Sequence, residues 1–220
     1  MSYGAVIRNG SNEIIIDSDH DSFAKNSSTT MSSTRVDNSF FDPEALYRFT
    51  PPTQSTSFPA LIFLPLANGD KVGIDGPFGA FLRNDTNGSA IICNPASNIS
   101  LPSTGFGMRI FKSDGSVSYS SEIELGRVFD KSSASLDTII NSGNVSITIN
   151  SNTTHVAVQV GGYAVQPVQQ QRSVVQNVVV ERTGGTSAIV QRVGYSIGFF
   201  PSNVGVATTV PTNFLFGRFV

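Results

Sequence analysis

Nowhere in this chain do apolar residues recur at helical spacing for a useful length. They come in short runs or in strict alternation. Val145, Ile147 and Ile149 share one face of an extended segment, as do Val156, Val158 and Val160. A chain whose apolar residues line up only at period two has to bury them on sheets, so the sequence predicts an all-β protein with little helix. The punctuation agrees. Asn9-Gly10-Ser11-Asn12 separates apolar segments at 3–8 and 13–17, and Ser113-Asp114-Gly115-Ser116 separates 106–112 from 117–121. Asn68-Gly69-Asp70 between 60–66 and 71–74 predicts a further hairpin. Strands are also expected at 78–82, 89–93, 125–129, 178–180, 188–193 and 195–200, with Gly184-Gly185 and Gly194 as breaks. Residues 18–39 are rich in Ser, Thr and Asp and read as a loop excursion, and Phe40 to Phe49 as a short helical turn opened by Asp42-Pro43.

At 220 residues the chain accommodates two units of about 100 residues each. Pro95, Pro102 and Gly105 in a Ser/Asn-rich stretch suggest the boundary. The expected organisation is two β-sandwich-like units in tandem, 1–102 with a polar insert at 18–57, and 103–220. The C-terminal Asn213 to Val220 is aromatic, and two fates suit it: a strand in the chain's own sheet, or an element docked on a neighbouring subunit.

Charged residues make up 14% of the chain, against about a quarter in ordinary domains. Ser (30), Thr (17) and Asn (16) carry the polarity instead. Such a surface hydrogen-bonds without net charge and suits repeated packing against other subunits or against sugars. Net charge is −2 with no basic block, which argues against nucleic acid as a partner. Cys93 is the single cysteine, so no intrachain disulfide and no cysteine-rich zinc site can form, in keeping with folding in a reducing cytoplasm. Residues 1–16 lack the pattern of a secretion signal, and no run of 18 apolar residues predicts a membrane span.

Chemistry-bearing constellations are few. Asp17-Ser18-Asp19-His20-Asp21 has three carboxylates and an imidazole, groups that ligate divalent cations, but neither calcium-loop spacing nor the glycine of a sharp turn. An exposed polar turn is the preferred reading. Glu122 and Glu124, two apart on an expected strand, would face one side, the arrangement glycoside hydrolysis uses. The depolymerising spikes that work this way are much longer chains, so no catalytic pair is assigned. His155 heads an alternating strand and reads as a strand-end residue. Gly73 to Gly79 is Gly-rich but contains Pro77 and no following Lys, so it reads as a turn. No catalytic, cofactor-binding or metal-binding residue is assigned, and no enzyme is expected.

An internal repeat carries more information. With residues 3–18 set against 106–121 and no gap, Tyr3 falls on Phe106, Gly4 on Gly107, Ile7 on Ile110, Ile14 on Val117, Ile16 on Tyr119 and Ser18 on Ser121. Both segments run aromatic-Gly, apolar strand, turn, apolar strand, Ser. They resemble the opening hairpin of a group of small tailed-bacteriophage tail and tail-fibre-associated proteins, and Phe58-Pro59-Ala60-Leu61-Ile62-Phe63-Leu64-Pro65 resembles the apolar run ending in Pro found between such hairpins. Ser120 stands where the first copy has Asp17, and 18–57 and 160–220 have no counterpart in the resemblance. The resemblance implies a virion structural protein of the tail. Its partners would be other tail proteins and its own copies, in closed symmetry, with contact to a host receptor or glycan as a further role. A carbohydrate-binding β-sandwich or a capsid decoration protein is the alternative.

Overall fold

The computed structural model describes residues 6–8, 14–17, 22–36, 45–52, 61–101, 107–159, 161–169, 172–198 and 208–219. The first half forms β1 (Val6–Arg8), β2 (Ile14–Asp17), β3 (Phe23–Thr30), β4 (Ser33–Val36), β5 (Leu46–Phe49), β6 (Leu61–Pro65), β7 (Lys71–Asp75), β8 (Ala80–Arg83) and β9 (Ser89–Pro95). The second forms β10 (Arg109–Phe111), β11 (Val117–Ser120), β12 (Gly126–Ser135), helix α1 (Leu136–Ser142), β13 (Val145–Thr148), β14 (His155–Gln159), β15 (Tyr163–Gln169), β16 (Arg172–Arg182), β17 (Ser187–Gly198) and β18 (Pro211–Phe219). The chain is all-β, as expected, and α1 is the single α-helix among the described residues. That helix is too short to cross a membrane.

Apart from the hairpins β1–β2 and β10–β11, the strands form two antiparallel sheets. One has six strands in the order β12-β18-β14-β6-β9-β3. The other runs β13-β17-β16-β7-β8-β5-β4, with β15 added alongside β16. The largest core lies between the sheets. Ile62, Leu64, Val156, Val158, Phe214 and Phe216 come from the six-stranded sheet, and Phe49, Val72, Phe81, Val178, Val180 and Val190 from the other. Alternation sends the intervening residues to the outer faces.

Both sheets also curl, and each outer face holds its own core. Val36 on β4 and Ile197 on β17 lie at far ends of the eight-stranded sheet, yet join one cluster with Leu46, Leu82, Val175, Val179, Val193 and Tyr195. The six-stranded sheet rolls until its edges meet. Ala24 of edge strand β3 bridges Leu125, the residue before the opposite edge strand β12. The Lys25 N–H donates to the Glu124 carbonyl (2.8 Å), and the Lys25 ammonium meets the Glu124 carboxylate at 2.6 Å. Inside the roll Phe63, Cys93 and Ala157 are buried, with Phe23, Leu61, Ile91, Leu215 and Phe219 packed around them. Gly126 sits at the seam, where a Cβ would lie 3.3 Å from the Phe219 ring and 3.7 Å from the Cys93 Sγ.

The hairpin repeat extends to register. In the first hairpin Val6 pairs with Asp17, Ile7 with Ile16 and Arg8 with Ile14, with a bulge between Ile7 and Arg8. In the second Arg109 pairs with Ser120, Ile110 with Tyr119 and Phe111 with Val117, with a bulge between Ile110 and Phe111. Each number in the second set is the first plus 103, bulge included. The same offset relates the edge strands, for β3 slips against β9 between Lys25 and Ser27 and β12 slips against β18 between Val128 and Asp130. A bulge is a specific local device, and two of them at one offset mark a duplication.

Strand order repeats as well. Inward from the edges, β3-β9-β6 mirrors β12-β18-β14 and, inside the additional edge strand β4, β5-β8-β7 mirrors β13-β17-β16. The halves meet through antiparallel pairs of counterpart strands, β6 with β14 and β7 with β16. Counterpart strands paired antiparallel are related by a local two-fold axis, which therefore passes through the middle of both sheets. Additions break the symmetry: β4 stands where the second half has α1, β15 has no counterpart, and β16 and β17 are much longer than β7 and β8.

Several expectations change. The division at 102/103 separates two related halves but not two sandwiches, because each half contributes to both sheets. Within the excursion expected at 18–39 lie β3 and β4, and the helical turn expected at 40–49 ends in strand β5, while 37–44 lie outside the described residues. The turn Asn68-Gly69 does not close a hairpin, since β6 and β7 belong to different sheets. Gly194 interrupts nothing, and β17 runs through it. The aromatic C-terminal segment is an interior strand of the chain's own sheet, β18 between β12 and β14.

Candidate functional site

The rolled six-stranded sheet is open along one side, where β3 runs on past its closing bridge. The opening is a trough of about 590 Å³ lined by Ser28, Thr29 and Thr30 of β3, Ser89, Ala90 and Ile91 of β9, Pro65 of β6 and His155 of β14. Register sets its layout. Thr30 pairs with Ser89 and Ser28 with Ile91, which makes one wall, and Pro65 pairs with His155. The wall formed by β3 and β9 is thus mainly hydroxyl, and Ile91 and Pro65 are apolar.

His155 is fixed from behind. Its Nδ1 lies 2.8 Å from the Thr154 hydroxyl, and its ring stands edge-on to Phe219 with centroids 5.3 Å apart. Phe219 in turn packs edge-on against Phe63 at 5.3 Å. Burial lowers the imidazole pKa below its ordinary value, so His155 is neutral at pH 7. The ring offers the trough a polar edge without charge.

A second polar cluster lies in the curl of the eight-stranded sheet. The fully buried Asp75 carboxylate accepts hydrogen bonds from the Tyr195 hydroxyl (2.5 Å), Arg48 Nε (2.7 Å) and Asn177 Nδ2 (3.4 Å). Arg48 also donates to the Tyr195 oxygen (2.8 Å), and its guanidinium lies 3.7 Å from the centre of the Phe78 ring. Burial pushes the Asp75 carboxyl above the usual range, against the opposing pull of Tyr195 and Arg48. Asp75 and Arg48 belong to the first half, and Tyr195 and Asn177 to the second. The cluster therefore braces the two halves, and its members occupy one another's hydrogen-bonding groups.

The residues weighed from sequence fall elsewhere. Asp17 ends β2, and Ser18, Asp19, His20 and Asp21 lie outside the described residues. Among the described residues no three His, Cys, Asp or Glu side chains cluster to hold a metal. Glu122 and Glu124 follow β11 in a turn and share no strand face. Glu122 accepts from Arg109 Nε (2.6 Å), whereas Glu124 pairs with Lys25. Each carboxylate thus serves its own cation. The segment 73–79 ends β7, forms the 3₁₀ turn Gly76–Phe78 and leaves it through Gly79 at φ 59°. The trough wall at Ser28–Thr30 was hidden because its sequence is polar throughout. The available signal was the repeat, since carrying its offset past Ser18 aligns β3 with β12.

Compared with known protein families, curated proteins and solved structures, the chain matches none.

Proposed function

We propose that this chain is a structural component of a bacteriophage tail, at the tip, in a fibre or as a minor component, working by assembly with other tail proteins and with its own copies. The duplicated hairpin carries this reading. Its sequence resembles the opening of small tail and tail-fibre-associated proteins at both 3–18 and 106–121, and the two copies hold one register and one bulge. A local pattern kept twice at that level of detail is a functional element of the protein and more than a convenient way to turn a chain.

Surface chemistry supports the same reading. The second hairpin exposes Met108 and Phe111, each about half accessible, next to the Arg109–Glu122 ion pair. Apolar side chains beside a charged rim form the usual plan of a protein–protein contact. The scarcity of charge elsewhere suits a subunit packed on several sides. The proposed location is the virion, after folding in the host cytoplasm, with contact to a host receptor as a further role.

The test is location. Mass spectrometry of gradient-purified particles and immunogold labelling with an antibody to this chain should find it in stoichiometric amounts at the tail. Its absence from purified particles, with abundance only in the soluble lysate, would overturn the reading.

A further inference from the structure

We infer that the trough at the open side of the rolled sheet binds a neutral oligosaccharide. Among the described residues no formally charged side chain lines it, and the one titratable group there, His155, is half-buried with its ring edge-on to Phe219, so the lining offers a charged ligand no counter-ion. The hydroxyls of Ser28, Thr30 and Ser89 both donate and accept, so they match a ligand whose own groups do both. Pro65 and Ile91 supply the apolar surface that the C–H face of a sugar ring covers. At about 590 Å³ the trough lies within the range of small-ligand sites, roughly 300–1,000 Å³. Ser28, Thr30 and Ser89 are exposed, so the trough opens to solvent and leaves room for a ligand that continues beyond it.

The duplication sharpens the case by showing what the same framework looks like without these features. Counting by counterpart strands, Thr30 and Ser89 correspond to Ser133 and Asn213, which also pair. Ser28 and Ile91 correspond to Lys131 and Leu215. The second half therefore places a cation where the trough has a hydroxyl. Uncharged, hydroxyl-bearing walls belong to one half only, as expected for a site acquired after duplication.

The inference stands on the trough alone. It survives if the chain proves not to be a virion protein, and its failure leaves the tail reading intact. The experiment is titration of the full-length, isotope-labelled protein with neutral tri- to hexasaccharides of glucose, galactose, mannose and N-acetylglucosamine at millimolar concentration, followed by amide chemical shifts. At least one probe should move Thr29, Thr30, Ser89, Ile91 and His155 as a group. Thr30→Val, which keeps shape and removes one hydroxyl, should weaken binding roughly three- to tenfold. Ser89→Trp, which puts a bulky ring into the trough beside Thr30 and Ile91, should abolish binding, while Asn213→Trp at the counterpart position should not. Unmoved shifts elsewhere in Ser89→Trp confirm that it folds. No shift with any probe overturns the inference, as do shifts that persist in Ser89→Trp or binding confined to anionic sugars.

Discussion

At the scale of single residues, Arg83 shows how one side chain decides where the chain goes. It is fully buried at the end of β8, and its guanidinium grips Asp85 with two hydrogen bonds (2.7 and 2.8 Å). It also donates to the Pro65 carbonyl (2.7 Å) and to Asp70 (3.2 Å). Pro65 ends a strand of one sheet and Asp70 precedes a strand of the other, so this cation pins the crossing between sheets. Arg83→Met should cost about 3 kcal/mol or more in urea unfolding, because partners are left behind without their cation. Burial alone would push the Asp85 carboxyl up, but Arg83 more than reverses this and holds it below the ordinary carboxylate range, helped by the Asn87 N–H. A lowered folded pKa contributes stability above the unfolded value, about 3.9, and loses it as pH falls through the folded value. The acid limb of the stability profile should therefore be shallower in Arg83→Met than in the parent. Cys93 is the other telling residue. Burial pushes its thiol up to about 12. At pH 8 the native protein should resist a thiol-specific reagent by more than about a thousandfold relative to the urea-unfolded chain, whose thiol ionises near 8.5.

At the scale of elements, what the sequence disclosed depended on how local each signal was. The two hairpins were legible because alternation, turn and alternation lie within sixteen residues. Strands β6, β14 and β18 were legible from their apolar runs. Strand β3 was not, because it is an edge strand whose Asn26, Ser27 and Ser28 are exposed, and only pairing with β9 makes those residues a strand. Sheet membership was hidden too. Asn68-Gly69 has the composition of a hairpin turn, and the Arg83 cluster, assembled from distant residues, sends the chain across instead. Helix α1 escaped notice because seven residues are too few to show a period. Its ends are nonetheless written locally. Ser135 accepts from the Thr138 N–H at 3.1 Å, Asp137 lies in the first turn, and Gly143 leaves at φ 76°. Leu136 and Ile139 then bury against the main core. Ser135→Ala should cost about 1 kcal/mol, read by thermal or urea unfolding.

At the scale of the whole molecule, duplication with shared sheets makes the halves interdependent. The cores hold residues from both, and the Asp75 cluster and the Lys25–Glu124 seam join them again. Unfolding should accordingly be one transition. Pulsed labelling of Cys93, in the first half, should report the same urea midpoint as far-UV circular dichroism of all strands. A protease site placed within 102–106 and cut should leave two fragments that still migrate together under native conditions. Separation of the fragments, or two distinct midpoints, would show that the halves are autonomous. From the sequence the repeat announced two related units. It could not announce their union, because the contacts that create it, β6 with β14 and β7 with β16, lie between residues nearly half a chain apart.

That union also sets an order of events during synthesis. When the ribosome has released the first half, β6 and β7 are present but the strands that flank them, β14 and β16, are still unmade. Two neighbouring sheets thus have open apolar edges for as long as translation of the second half takes, a template for pairing with another nascent chain. Because the missing neighbours are counterparts of the exposed strands, the best-matched wrong partner is the first half of a sister chain on the same message. Slow translation across the junction between the halves should therefore favour such mispairing over the single-chain form.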